Sequence, residues 1–121
     1  MVLTLWIAVF GGLGATARFV SDGTIRAALG RSFPWGTLIV NATGSFILGV
    51  MTGLALYGHL SHNLLLVIGT GFCGGFTTFS TASFEAVRLI EKRQFLAVFA
   101  HVTGNVVLCF LAAAVGLWLV Y

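Results

Sequence analysis

Charge is what this sequence has least of. Six Lys/Arg and three Asp/Glu make up 7% of its 121 residues, where soluble domains carry roughly a quarter. With 59% hydrophobic residues, a chain this short cannot bury its apolar surface inside one water-facing globule, so lipid is its natural solvent. The net charge of +3 is scattered beside apolar stretches, with no basic run, which argues against a nucleic-acid partner. Cys73 and Cys109 are the only cysteines, both in apolar segments and without a CxxC pair or His/Cys cluster. They read as small buried thiols rather than as a disulfide or zinc site. No nucleophile–base pair and no two-carboxylate site is present, so nothing points to an enzyme. Soluble linkers, low-complexity segments and internal repeats are absent as well.

What is there is apolar sequence in lengths suited to a bilayer. A spanning helix needs about 20 mostly apolar residues, and residues 1–121 accommodate four as a single domain. Span one is expected from about Leu3 to Val20, followed by a polar link from Ser21 to Phe33 in which Ile25, Ala28 and Leu29 suit a short interfacial helix. Pro34 fits the first turn of span two, Gly36 to Tyr57, because that amide would lack a helical partner anyway. Gly58 to Asn63 read as a tight turn, Leu64 to Phe84 as span three, Glu85 to Gln94 as a polar link and Phe95 to Tyr121 as span four. Met1 to Phe10 lack the basic n-region of a signal peptide, so the first span is expected to be permanent.

Four spans place both termini and the span two–three turn on one membrane face. Arg18, Arg26, Arg31, Arg88, Lys92 and Arg93 all fall on or beside the other two links. The positive-inside rule then puts those links in the cytoplasm and both termini outside a cell membrane. Asp22, Glu85 and Glu91 are assigned to links or span ends, leaving no acidic residue mid-span, which argues against a proton-driven exporter. His59 and His62 lie on the face opposite His101, so the histidines do not assemble a metal site.

Polar groups within the spans are costly and often mark a transport path. In span two Asn41 and Ser45 share a helix face, and Ser45, Gly49 and Gly53 have the small-xxx-small spacing that lets helices approach closely. Asn41 either lines a path or bonds a neighbouring helix. In span three Gly74-Gly75 precedes five hydroxyl residues within the next eight positions. That run reads as a broken helix, whose freed carbonyls can hold a cation, or as a kinked helix whose hydroxyls bond their own carbonyls. Phe79 either packs or turns its positive ring edge toward a small anion. In span four His101, Asn105 and Cys109 form one polar stripe at four-residue spacing. It lines water or faces a partner helix, unless His101 simply sits at the cytoplasmic interface.

Taken together, these segments resemble the Fluc (CrcB) family of fluoride channels over nearly the whole chain. The resemblance is carried by Gly11-Gly12-Leu13-Gly14-Ala15 with Arg18, by Pro34-Trp35-Gly36-Thr37-Leu38-Ile39-Val40-Asn41, and most strongly by Gly71-Phe72-Cys73-Gly74-Gly75-Phe76-Thr77-Thr78-Phe79-Ser80-Thr81 with Glu85. It implies an all-α membrane protein of four transmembrane helices, the third broken near Gly74–Phe79, assembled as an antiparallel dimer. It implies a structural Na⁺ at the dimer centre on backbone oxygens of Gly74 and Thr77. It also implies a fluoride path beside Asn41, Phe79 and Ser80, continued by Asn105 and Cys109 on span four, with Arg18 structural. The implied role is passive fluoride export that limits toxicity.

Three positions depart from the family pattern. Ala82 stands where a second Phe is usual, and Asn105 and Cys109 replace Ser and Thr. Alanine has no ring edge and a thiol is a weak donor, so a path using these positions is expected to be impaired. A chain that pairs antiparallel with itself must insert both ways, yet this one has a strong Lys/Arg bias. A fixed orientation and an oppositely oriented paralogous partner are therefore expected. The competing readings are a small multidrug-type transporter, which would need a membrane-embedded glutamate in span one, and a non-conducting structural subunit of a channel pair.

Overall fold

The computed structural model describes residues 1–121 as helices and short connections, with four helical stretches long and apolar enough to cross a membrane. α1 is Val2–Leu29 and α2 is Trp35–Leu56. The third span, His62–Glu91, is built in pieces: α3 (His62–Leu65), a π-helical stretch (Leu66–Cys73), α4 (Gly74–Phe76) and, after a break, α5 (Ser80–Glu91). α6 is Phe95–Leu119. Ser61 caps α3 by accepting from the Leu64 amide at 3.2 Å, and Gly58 takes the turn before it with φ 78°.

Helix extents differ from the sequence reading. α1 runs on to Leu29, so Ser21 to Leu29 are not a separate interfacial helix and Asp22 belongs to the helix. The continuation is held by an Asp22–Arg26 ion pair at 3.1 Å with i,i+4 spacing. Likewise α5 reaches Glu91, past the expected end at Phe84, with the Arg88 guanidinium 5.9 Å from the Phe84 ring centroid. The π-helical stretch was not anticipated; its Gly69 and Gly71 tolerate the wider winding.

Only 17 of 121 residues are buried within the chain, and large apolar side chains are exposed along every span, as a lipid-facing bundle requires. The contacts that do form are backbone-close. α1 packs on the π-helical stretch and α4, and α2 packs along α6. A Cβ on Gly14 would collide with the Phe72 carbonyl, and one on Gly75 with the Gly11 carbonyl. Gly49 sits against the Ala113 backbone and Gly116 against Phe46. With no hydrophobic drive between helices in lipid, such van der Waals contact carries the association.

Gly75→Val is therefore expected to destabilise the fold by at least about 1–3 kcal/mol, the range for overpacking. Gly23→Ala, where a Cβ meets nothing within 4 Å, is expected to be neutral. Thermal unfolding in detergent followed by size exclusion separates the two.

Candidate functional site

The polar residues of the spans converge on the break in span three. Phe76 ends α4, Thr77 leaves the helix with φ −82° and ψ 162°, and α5 restarts at Ser80. A break at this depth must have its backbone groups satisfied by protein, and α2 supplies the partner. The Asn41 side chain pairs with Thr78 in both directions: Thr78 N donates to Asn41 Oδ1 at 2.8 Å, and Asn41 Nδ2 donates to Thr78 O at 2.9 Å. Thr77 Oγ1 donates back to Cys73 O at 2.8 Å. Thr78 Oγ1 accepts from Thr81 N at 3.0 Å, capping the first turn of α5.

α6 continues the network. Asn41 Nδ2 also donates to Asn105 Oδ1 at 3.0 Å. Asn105 Nδ2 donates to the His101 carbonyl at 2.8 Å and lies 3.3 Å from His101 Nδ1. His101 Nε2 is 2.9 Å from Ala82 O. His101 is 1% exposed and Phe33 meets its ring edge-on, centroids 6.1 Å apart. It is thus enclosed by α5, α6 and the α1–α2 connection. Sequence spacing put His101 on the right helix face but gave no sign of its partner, a main-chain carbonyl of another span.

Beside this network lies an open cavity of about 770 Å³. Asn41, Gly74, Thr77, Phe79, Asn105 and Cys109 all border it, so six of the eight site residues chosen from sequence share one space. Ser80 is exposed at the start of α5 and does not border that cavity. Phe79 is 87% exposed, its ring held by nothing in this chain. Arg18 borders a second cavity of about 310 Å³, shared with Asp22, Arg26, Thr37, Thr78 and Thr81.

The two cavities differ in electrostatics. The larger has no charged residue among its lining. At the smaller, Arg26 bridges Asp22 at 3.1 Å and Glu85 at 3.9 Å, and Thr37 Oγ1 donates to Glu85 Oε1. Asp22 Oδ1 is buried without a hydrogen-bond partner, against Gly36 where no Cβ would fit. No group of three or more His, Cys, Asp or Glu side chains is placed to hold a metal.

Comparison with known proteins agrees with this geometry. The pattern of the CrcB-like protein family (Camphor Resistance, CrcB) matches residues 5–117. A protein of Leifsonia xyli subsp. xyli named Fluoride-specific ion channel FluC 1 is 50% identical over 118 residues, covering 98% of this chain and 86% of that one. Fluoride-specific ion channel FluC of Geobacter sulfurreducens is 44% identical over 119 residues, covering 98% and 93%. Fluoride-specific ion channel FluC 2 of Mycobacterium tuberculosis is 42% identical over 121 residues. A multi-pass membrane chain with a broken third helix, matched along nearly its whole length, belongs to the CrcB-like family.

Proposed function

We propose that this chain is a subunit of a fluoride-selective channel giving passive fluoride export. The observation that carries the reading is the broken third span, whose second half begins at Ser80, directly after Phe79 on the border of the larger cavity, in a chain 50% identical over 118 residues to a protein named Fluoride-specific ion channel FluC 1. The first amides of a helix lack intrahelical acceptors and carry its positive dipole end. They favour a small anion without adding a full charge that would trap it. The Ser80 hydroxyl and the ring edge of Phe79 are the donors nearest that end in sequence. Of the two readings of Asn41, a lining of the path or a bond to a neighbouring helix, its hydrogen bonds support the second. Both hydrogens of its Nδ2 are engaged, by Thr78 O and Asn105 Oδ1, so it serves the path by holding the break.

The other side of the break suits a cation. The last carbonyls of a helix are free of helical donors and sit at its negative end, and Gly74 has open space beside its Cα. Hard backbone oxygens fit Na⁺, as at other broken membrane helices. Gly74 and Thr77 carbonyls would hold it, and bound there it would offset negative charge at the helix end and join the subunits. We place both termini outside the cell, because every Lys/Arg lies toward the opposite end of the bundle.

The open cavity and exposed Phe79 fit an antiparallel second subunit, and the one-sided charge favours a paralogue in that role. At the α6 side of the path Asn105 has both amide hydrogens directed at His101, and Cys109 offers only a weak donor, so one of two paths is silent. The acidic side chain of α1, Asp22, is paired with Arg26, unlike the free carboxylate that a multidrug-type exporter needs. Fluoride efflux from liposomes, recorded with a fluoride electrode, tests the pairing. Efflux is expected with the paralogue present and not with this chain alone. Dimers of the purified chain that conduct fluoride would refute the obligate pair.

A further inference from the structure

We infer that His101 and Asn105 are positioning residues that hold the span-three break through a hydrogen-bond relay with one fixed proton order. The order begins at a group that cannot change role. Ala82 O only accepts, so His101 Nε2, 2.9 Å away, carries the proton. The Nδ1 of the neutral ring is then an acceptor, and Asn105 must turn its Nδ2 toward it at 3.3 Å. That choice leaves Asn105 Oδ1 facing Asn41, which must present Nδ2 at 3.0 Å. Asn41 Oδ1 is thereby set to accept Thr78 N at 2.8 Å. A side-chain amide has two nearly isosteric orientations, and only one of them serves Thr78 in both directions. The Thr78 main chain fixes Asn41 at one end and the Ala82 carbonyl fixes His101 at the other, and Asn105 is oriented to satisfy both.

The relay also ties α2, α5 and α6 to the break. Ala82 lies in α5, His101 and Asn105 in α6, Asn41 in α2, and Thr78 in the break itself. Of the charged side chains of α1 and α5, Asp22, Arg26 and Glu85 are engaged with one another and with Thr37, Arg88 lies over Phe84, and Arg18 and Glu91 make no hydrogen bond to the relay. No other titratable side chain belongs to the chain of bonds. His101 is 1% exposed at the border of the larger cavity, so the bonds that set the order come from protein groups.

The inference rests on the fluoride reading only for its transport readout. The first arm is spectroscopic and uses the full chain, ¹⁵N-labelled at histidine and reconstituted in lipid nanodiscs at about pH 8, above the ordinary histidine range. His101 is assigned by its loss in His101→Gln. The expected spectrum shows Nε2 protonated and Nδ1 bare. In Asn105→Leu the donor to Nδ1 is lost, so the Nδ1 signal is expected to move toward that of a ring nitrogen without a hydrogen bond while Nε2 stays protonated. A wild-type ring protonated at Nδ1, or an Nδ1 signal unmoved by Asn105→Leu, overturns the proposal.

The second arm is fluoride efflux at matched protein density, with the paralogue present. His101→Gln keeps an N–H for Ala82 O and loses the Nδ1 acceptor, whereas His101→Phe keeps only ring volume. The expected order is His, then Gln, then Phe, with Phe reduced at least about tenfold. Equal efflux from all three overturns the positioning role. If wild-type protein conducts nothing while both nitrogen spectra are as expected, the failure belongs to the fluoride reading and the relay stands.

Discussion

Asn41→Ala is expected to reduce fluoride efflux by at least about tenfold and to lower the melting temperature of the protein in detergent. The substitution strips partners from both the amide and the carbonyl of Thr78. A buried polar group left unpaired costs about 1–3 kcal/mol, and two are orphaned together at a depth where lipid offers nothing in exchange. Thr78 is only partly buried, which favours the lower end, about 2–3 kcal/mol in total. That still exceeds the roughly 1.4 kcal/mol that changes a population tenfold. The break would relax toward a continuous or differently kinked helix, moving Phe79 and Ser80 together. Efflux at the wild-type rate with an unchanged melt would contradict the role given to Asn41.

Glu85→Ala is expected to be the second severe variant, for a different reason. Glu85 ties α5 to α2 through Thr37 and to α1 through Arg26. Thr37 is 2% exposed, so its hydroxyl relies on Glu85 as its acceptor. A hydrogen bond to a charged group contributes about 1.5–3 kcal/mol, and most of the loss is assigned to Thr37. The contact with Arg26 is long, and that side chain is 44% exposed, so screening leaves it a small share. Glu85→Gln separates the two: it keeps an acceptor for Thr37 and removes the charge. Glu85→Ala is expected to lower stability by about 2–3 kcal/mol and Glu85→Gln by under about 1 kcal/mol, by thermal unfolding. Equal losses would assign the effect to charge instead.

Much of this architecture is legible in the sequence because lipid imposes simple rules. Four long apolar runs give four spans, and Gly74-Gly75 followed by clustered hydroxyls marks where span three cannot continue. The four-residue spacing of His101, Asn105 and Cys109 correctly puts them on one face toward a shared cavity. Helix ends are less legible, because polar residues at a span end resemble a link. Asp22, Arg26, Arg88 and Glu91 are helical, kept so by neighbours one turn away and by side chains that reach toward water. The π-helical stretch leaves no periodic mark in a segment apolar all round. Hardest to foresee was what Asn41 does. One-dimensional spacing shows that an amide is buried, while its partners come from residues 37 and 64 positions away.

A fluoride-selective channel passes a small anion without coupling to protons. The direct measurement is efflux from liposomes loaded with equal fluoride and chloride, holding this chain together with its paralogue, with each anion followed by its own electrode and internal pH by a dye. Fluoride loss with chloride retained and no obligatory proton movement is the expected result. Proton-coupled cation flux, or no anion flux with or without the paralogue, would contradict it.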